Sequence, residues 1–219
     1  MAAEILKKKE NLPDEELIAL IKTGQTDLYR IIIQRYNQRL YRTAISFGIY
    51  DFDSDDLIQQ TYINVFEKLD QYRADAKFST WLTRIMINEC LMYKRKKKTE
   101  NKRFVDGEKN VTILTPEHQT PEKDYMNKEM KNTLETAIKK LPEKYRVVYV
   151  LREIEGISVK ECARTLALSE INVKVRLLRA KNLLKNELLK TFNKDEVLTF
   201  GNSRCGAVTE NVMKLIGKR

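Results

Sequence analysis

Residues 158–185, SVKECARTLALSEINVKVRLLRAKNLLK, decide how this chain folds. Ser158 followed by Glu161 three residues on is the pattern of a capping box, which ties down the free amides at a helix start. From there Val159, Cys162, Ala163 and Leu166 recur at i, i+3, i+4 and i+7, so they share one apolar stripe and Cys162 reads as core rather than as a reactive thiol. A second, longer helix follows Ser169. At 100° per residue Val173, Leu177, Ala180 and Leu184 fall on one side, and Lys174, Arg179, Asn182 and Lys185 spread over the other. A short helix, a brief turn and a longer basic helix form a helix-turn-helix, whose second helix can lie in a DNA major groove. The plain alternative is an αα-hairpin with a solvated charged face.

The same period extends outward in both directions. Upstream, Leu134, Ala137, Ile138 and Leu141 share a helix face, and Pro142 opens another helix that Gly156 ends. Pro13 with Asp14, Glu15 and Glu16 starts a helix that runs to Gly24, and a second is expected from about Thr26 to Phe47, stopped at Gly48. Asp51, Asp53, Ser54, Asp55 and Asp56 place negative charge at the start of a third helix. A fourth begins near Ser79 and ends in Lys94, Arg95, Lys96, Lys97 and Lys98. No alternating strand pattern exceeds a few residues, so the fold is expected to be all-α. From Thr99 to about Lys128 the apolar period fades, with Gly107, Pro116 and Pro121 interrupting it. The expected organisation is two small helical domains, 10–98 and 129–190, joined by a flexible linker, 99–128, long enough that the halves need not touch. Residues 191–219 form an extension without an assigned role, helical from about Val208 to Ile216.

Composition narrows the function. The 219 residues carry 41 Lys and Arg against 31 Asp and Glu, a formal net charge of +10 that favours a polyanionic partner. No apolar run approaches the roughly 18 residues that would suggest a membrane span, and the first residues lack the apolar segment of a signal peptide, so the expected location is cytoplasmic, without direct membrane insertion. Cys90, Cys162 and Cys205 lie far apart, and His118 is the one histidine. So few nitrogen and thiolate ligands argue against a metal centre, a cofactor site or a histidine-based catalytic dyad.

Two more helix faces look functional. In the fourth helix Leu82, Ile85, Met86, Cys90 and Tyr93 gather as core, while Trp81, Arg84, Asn88 and Arg95 gather opposite. An aromatic, a cation and an amide on one face can stack an unpaired base and hold its backbone, and Lys94 and Arg95 begin a basic run suited to phosphates. The competing reading is a half-buried core tryptophan beside a solvated charge run, and Leu91 on the polar side fits neither. In the third helix Ile58, Tyr62, Val65, Phe66 and Leu69 form the core stripe, with Asp56, Gln60, Ile63, Asn64 and Glu67 opposite. An outward isoleucine ringed by acids and amides in a basic protein looks like a surface for docking another protein.

These elements in this order resemble the bacterial RNA polymerase sigma factors, specifically the compact extracytoplasmic-function class, over almost the whole chain. Asp56-Leu57-Ile58-Gln59-Gln60 is similar to the family's clamp-binding segment, and Phe78-Ser79-Thr80-Trp81-Leu82 to the opening of its promoter-melting helix. Leu141-Pro142-Glu143-Lys144-Tyr145-Arg146 matches the lead into its C-terminal helix-turn-helix domain. The resemblance implies core RNA polymerase as partner, through the clamp helices of the largest subunit and the flap of the second-largest, together with promoter DNA and, where one exists, an anti-sigma factor. It implies that Asp56, Gln59 and Gln60, continued by Ile63, Asn64 and Glu67, face the clamp. The loop Arg73 to Phe78, with Arg73, Asp75 and Lys77, would receive a flipped-out base of the minus-ten element, and Trp81, Arg84, Asn88, Lys94 and Arg95 would support the melted strand. Lys174, Val175, Leu178 and Arg179, flanked by Asn172 and Asn182, would enter the minus-35 groove. Gln60 stands where the family usually has Glu. Asn172 and Val175 replace a common Thr and Ser, which shifts recognition toward apolar contact with thymine methyl groups.

The leading expectation is therefore a promoter-specificity subunit with no catalytic residues of its own. A helix-turn-helix regulator acting without being a polymerase subunit would leave the Trp81 and Asp56 faces unused. A metal-dependent nuclease built on Asp53 to Asp56 is disfavoured, because acids so closely spaced at a helix start serve as caps.

Overall fold

The computed structural model describes residues 9–103, 123–191 and 202–216, and every regular element among them is helical. Helix α1 (Asp14–Lys22) starts after Pro13, with Asp14, Glu15 and Glu16 against the positive end of its dipole. A 3₁₀ turn at Thr26–Leu28 leads into α2 (Tyr29–Ser46), and α3 spans Asp51–Glu67. Helix α4 (Phe78–Arg103) runs past the expected end at Lys98, and α5 (Lys123–Lys140) begins before Lys128. Helix therefore occupies both edges of the expected linker 99–128; the rest of that segment lies outside the described residues, as does its expected flexibility.

Helix α6 (Glu143–Tyr149) follows Pro142 and continues as a π-helical turn, Val150–Ile154. Gly156 stops it with φ +67°, a conformation open to glycine at no steric cost. Helices α7 (Val159–Thr165) and α8 (Glu170–Thr191) then form the expected helix-turn-helix, and α9 (Asn202–Ile216) starts before Val208.

Helices α1 to α4 pack around Leu17, Ile32, Leu40, Val65, Leu82 and Met86, all without exposed surface. Val148, Leu151, Cys162 and Val173 of the second half belong to the same continuous apolar cluster. The length of the linker leaves the halves free to separate, and in this structure they share one core. A smaller cluster of Ala137, Leu141, Ala180 and Leu184 ties α5 to α8.

Polar side chains make the junction specific. Arg146, 8% exposed, donates across it from Nε to the Ser46 carbonyl at 2.9 Å, and from Nη1 to the Lys139 and Leu141 carbonyls at 2.7 and 3.2 Å. The carbonyls at the end of α5 are among those a helix cannot satisfy internally. Gly48, at φ +74°, leaves room for this crossing, since a Cβ there would lie 3.1 Å from Arg146 Nη2. Glu155 accepts from Arg39 Nε at 2.7 Å and from Arg42 Nε at 2.5 Å.

Candidate nucleic-acid interfaces and docking face

On the duplex-reading side, Ser158 Oγ accepts from Glu161 N at 3.1 Å and caps α7, and Ser169 Oγ does the same for α8 through Asn172 N at 3.2 Å. The second half of the expected capping box is absent: the Glu161 carboxylate turns to Arg84 and Arg164 instead. Val173 and Ala180 are fully buried, so α8 cannot rotate, and Lys174, Arg179, Asn182 and Lys185 face solvent. Asn172 Oδ1 accepts from Arg176 Nε at 3.0 Å. Arg179 lies beside Tyr145 and, with Lys144, holds that phenol below its ordinary pKa. Val175 and Leu178 are exposed on the same surface, Leu178 at 61%, and Ile171 at the start of α8 is more exposed still. Ile171 was not singled out from sequence; its place in the first turn, off the Val173 stripe, is the signal that would have found it.

The single-strand side is more occupied than its spacing suggests. Arg73, Asp75 and Lys77 are exposed in a loop that Tyr72 pins, its hydroxyl donating to the Ala76 carbonyl at 3.0 Å. Phe78 is a correction: it is 1% exposed, with the rings of Tyr36, Tyr72 and Trp81 centred 5.8, 5.4 and 5.8 Å away, and presents no surface to a base. Its position at the first turn of α4 points it inward, where it supports Trp81. Trp81 is half-buried and tilted against Tyr72 at 5.4 Å. Asn88 and Arg95 are exposed.

Arg84 and Lys94 point to the second half. Arg84 Nε donates to Glu161 Oε1 at 2.7 Å, while Lys94 pairs with Glu143 and donates to the Phe47 carbonyl at 3.1 Å. Burial works to raise the Glu161 pKa, but the hydrogen bonds and charges of Arg164 and Arg84 prevail and hold it below the ordinary carboxylate value. Leu91, unexplained by periodicity, packs half-buried against the shared core. Part of the basic run is spent internally, since Lys97 reaches Asp53 at 3.3 Å beside the Tyr93 hydroxyl.

The third face is concave. Tyr29, Ile33, Tyr41, Ile58, Ile63 and Phe66 line a trough of about 820 Å³ between α2 and α3, with Asp55, Gln59 and Glu67 at its rim. Ile63, 52% exposed, is therefore part of an apolar patch and not a lone surface residue. Phe66 was expected in the core stripe and is instead 42% exposed. The reason is Tyr29, which meets the Phe66 ring edge-on at 5.1 Å while donating its hydroxyl to the Tyr62 carbonyl at 2.8 Å, filling the space beneath. Asp56, Gln59, Gln60 and Glu67 are exposed, and Asn64 is anchored by donating to Glu89 Oε1 at 2.9 Å and accepting from Gln60 at 3.0 Å.

Among the described residues no cluster of His, Cys, Asp and Glu could hold a metal ion, and no helix is long and apolar enough to cross a membrane. Burial pushes the thiols of Cys90 and Cys162 up to about 12 and about 11, which suits core residues.

A helical bundle with an aromatic-backed face, continuous with a helix-turn-helix, defines a two-part DNA-binding protein. The family model for Sigma-70 region 2 matches residues 32–100, and that for Sigma-70 region 4 matches residues 131–184. The ECF RNA polymerase sigma factor SigW of Bacillus subtilis is 30% identical over 178 residues, 78% of this chain and 94% of that protein. The ECF RNA polymerase sigma-E factor of Escherichia coli K12 is 26% identical, covering 82% of this chain and 96% of its own length. Among solved structures, CnrH in complex with the cytosolic domain of CnrY superposes with a TM-score of 0.51 at 28% identity, over 82% of this chain and 99% of that one. The sigma factor RpoE of Bartonella quintana, solved with the anti-sigma factor NepR, has the same fold at a TM-score of 0.59 and 21% identity, over 73% and 96% of the two chains. The chain belongs to the extracytoplasmic-function class of RNA polymerase sigma factors, which direct transcription to promoters.

Proposed function

We propose that residues 10–98 dock on the clamp helices of core RNA polymerase through the α2–α3 trough and hold the melted minus-ten strand on the Trp81 face of α4. Residues 129–190 then read the minus-35 duplex with α8 and meet the flap of the second-largest subunit. The trough carries this reading, because a regulator acting through α8 alone has no use for an apolar docking surface on the other half of the chain. No residue is assigned a catalytic role, and work on core polymerase places the protein in the cytoplasm. An anti-sigma factor, such as the one solved with the similar RpoE, is a further partner where one exists. Run-off transcription with core polymerase and a promoter library is the test. A product that requires this chain and shares an upstream sequence supports the reading; DNA binding without retention of core polymerase in pull-down would return the regulator.

On α8, Arg179→Ala is expected to cost about 1–3 kcal/mol and relax preference at one minus-35 position, as removal of a base-edge contact does. Lys185→Ala should lower affinity evenly across sequences and flatten the salt dependence. Equal losses at every promoter variant for both substitutions would refute the groove assignment.

On α4, Trp81→Ala and Asn88→Ala should impair open-complex formation more than closed-complex binding, since stacking contributes about 1–3 kcal/mol per base and acts only on unpaired bases. Permanganate footprinting on matched and premelted promoters separates this from a packing defect. Relief by the bubble is expected, and its absence would leave Trp81 a support for Tyr72 and Phe78 alone.

A further inference from the structure

The outward side of α8 is not uniformly polar. Ile171, Val175 and Leu178 recur at i, i+4 and i+7, a spacing that places them in one line within about 60° of the helix circumference. That line points away from the core: the three are 74%, 41% and 61% exposed, whereas Val173 and Ala180 on the opposite side are fully buried. Apolar area left in water is free energy that a partner surface can recover. The ridge begins in the first turn of α8, the end of a recognition helix that reaches base edges.

Its setting is cationic. From Ile171 to Asn186 the helix carries five cations, Lys174, Arg176, Arg179, Lys181 and Lys185, and no acid. Lys174 and Arg179, both exposed, fall roughly 70° to either side of the ridge. An apolar groove on another protein would have to bury these cations, whereas a polyanion with an apolar strip on its floor would pair with them. The major groove of B-DNA fits that description. It is about as wide as a helix with its side chains, so the outermost line of the helix meets base edges and the flanking residues meet the groove walls. The apolar group it presents is the C5-methyl of thymine. Meanwhile the amide at this end of α8 is engaged. Asparagine reads adenine by accepting from N6 as well as donating to N7, and Asn172 Oδ1 already accepts from Arg176 Nε at 3.0 Å.

We infer that Ile171, Val175 and Leu178 form a methyl-reading ridge, by which α8 selects duplexes carrying a line of thymine C5-methyl groups, with Ile171 as a specificity residue at its leading end. The inference rests on the reading of α8 as the minus-35 helix. Seven residues of helix rise about 10.5 Å, which at about 3.4 Å per base pair spans three base pairs. The selected element therefore contains adjacent thymines.

The test uses the chain assembled with core polymerase and the minus-35 sequence selected from the promoter library. Each thymine of that element is replaced in turn by deoxyuridine, which keeps the pairing and the O4 acceptor and lacks only the methyl, and affinity is read by fluorescence anisotropy. Each methyl met by the ridge should be worth about four-fold, the ~0.8 kcal/mol of one buried carbon at ~1.4 kcal/mol per decade, and three together roughly fifty-fold. Ile171→Ser, Val175→Ser and Leu178→Ser alter exposed positions and should keep the wild-type circular dichroism. Each should become indifferent to uracil at one position and stay sensitive at the others. A firmly selected element in which uracil has no effect anywhere overturns the ridge and leaves the groove assignment of α8 standing. A uracil effect of equal size in wild type and all three variants belongs to the shape of the duplex and also overturns it. Loss of core polymerase in pull-down by the serine variants, with unchanged response to uracil, would give the ridge to a protein partner instead. Failure to select any minus-35 sequence removes the reading of α8 itself, and the ridge with it.

Discussion

Ile63→Asp is expected to abolish association with core RNA polymerase while leaving the helical content and duplex binding of the chain unchanged. The residue is 52% exposed on the wall of the α2–α3 trough, so a carboxylate there is hydrated in the free protein and folding is little disturbed. Docking would then bury it among Tyr29, Ile58 and Phe66, with Glu67 close by on the same helix and no cation among the trough's lining residues. An uncompensated buried charge costs about 3–5 kcal/mol. At about 1.4 kcal/mol per decade that weakens binding by roughly two to four orders of magnitude. Gln60→Lys also removes the hydrogen bond to Asn64, but on the exposed side of the same helix its charge stays hydrated, so it should weaken docking less than Ile63→Asp. Surface plasmon resonance against immobilised core polymerase measures both, and wild-type affinity for Ile63→Asp would remove the trough from the docking surface.

The second large effect is on stability. Phe78→Ala is expected to destabilise the fold by about 3–5 kcal/mol, the range for truncating a buried aromatic. The side chain lies at the meeting point of α2, the segment before α4 and α4 itself, against Tyr36, Tyr72 and Trp81. Arg73→Ala, a few residues earlier in an exposed loop, should change stability by about 0.5 kcal/mol or less. Urea denaturation followed by circular dichroism distinguishes the two. Wild-type stability for Phe78→Ala would return Phe78 to the list of residues available to DNA; the expected loss makes any promoter defect of that variant a consequence of misplacing Trp81.

Phe78 and Phe66 show where periodicity stops being informative. Helical spacing says which residues share a side, and it put Val173 and Ala180 inward and Lys174, Arg179 and Asn182 outward, as they lie. It cannot say how far a neighbouring element reaches. Phe66 shares the side of Tyr62 and Val65, but it stays part-exposed because Tyr29 already occupies the core beneath it. Phe78 could be read as loop or as helix from its neighbours, and the difference between a base-binding residue and a core residue rested on that one boundary.

Charge is the other limit. Glu155, Arg39 and Arg42 gave no local signal, and nothing near Arg84 or Arg146 in the chain pointed to their partners, because charged residues on a helix are ordinarily solvated and only a partner distant in the chain removes them from water. Glu161 was legible as a capping residue of α7, yet its carboxylate takes its place from Arg84 on α4.

By itself, then, the sequence determined what local spacing and capping chemistry can determine: an all-helical chain, the helix-turn-helix after Ser158, the inward and outward sides of α8, and the family to which its motifs belong. Only the tertiary structure decided that the two halves share one core, that Ile63 borders a trough, and that Arg84 and Lys94 meet carboxylates of the second half. The reason is physical. A helix face is set by residues three and four apart, whereas a buried ion pair or a shared cavity is set by groups that nothing local requires to meet.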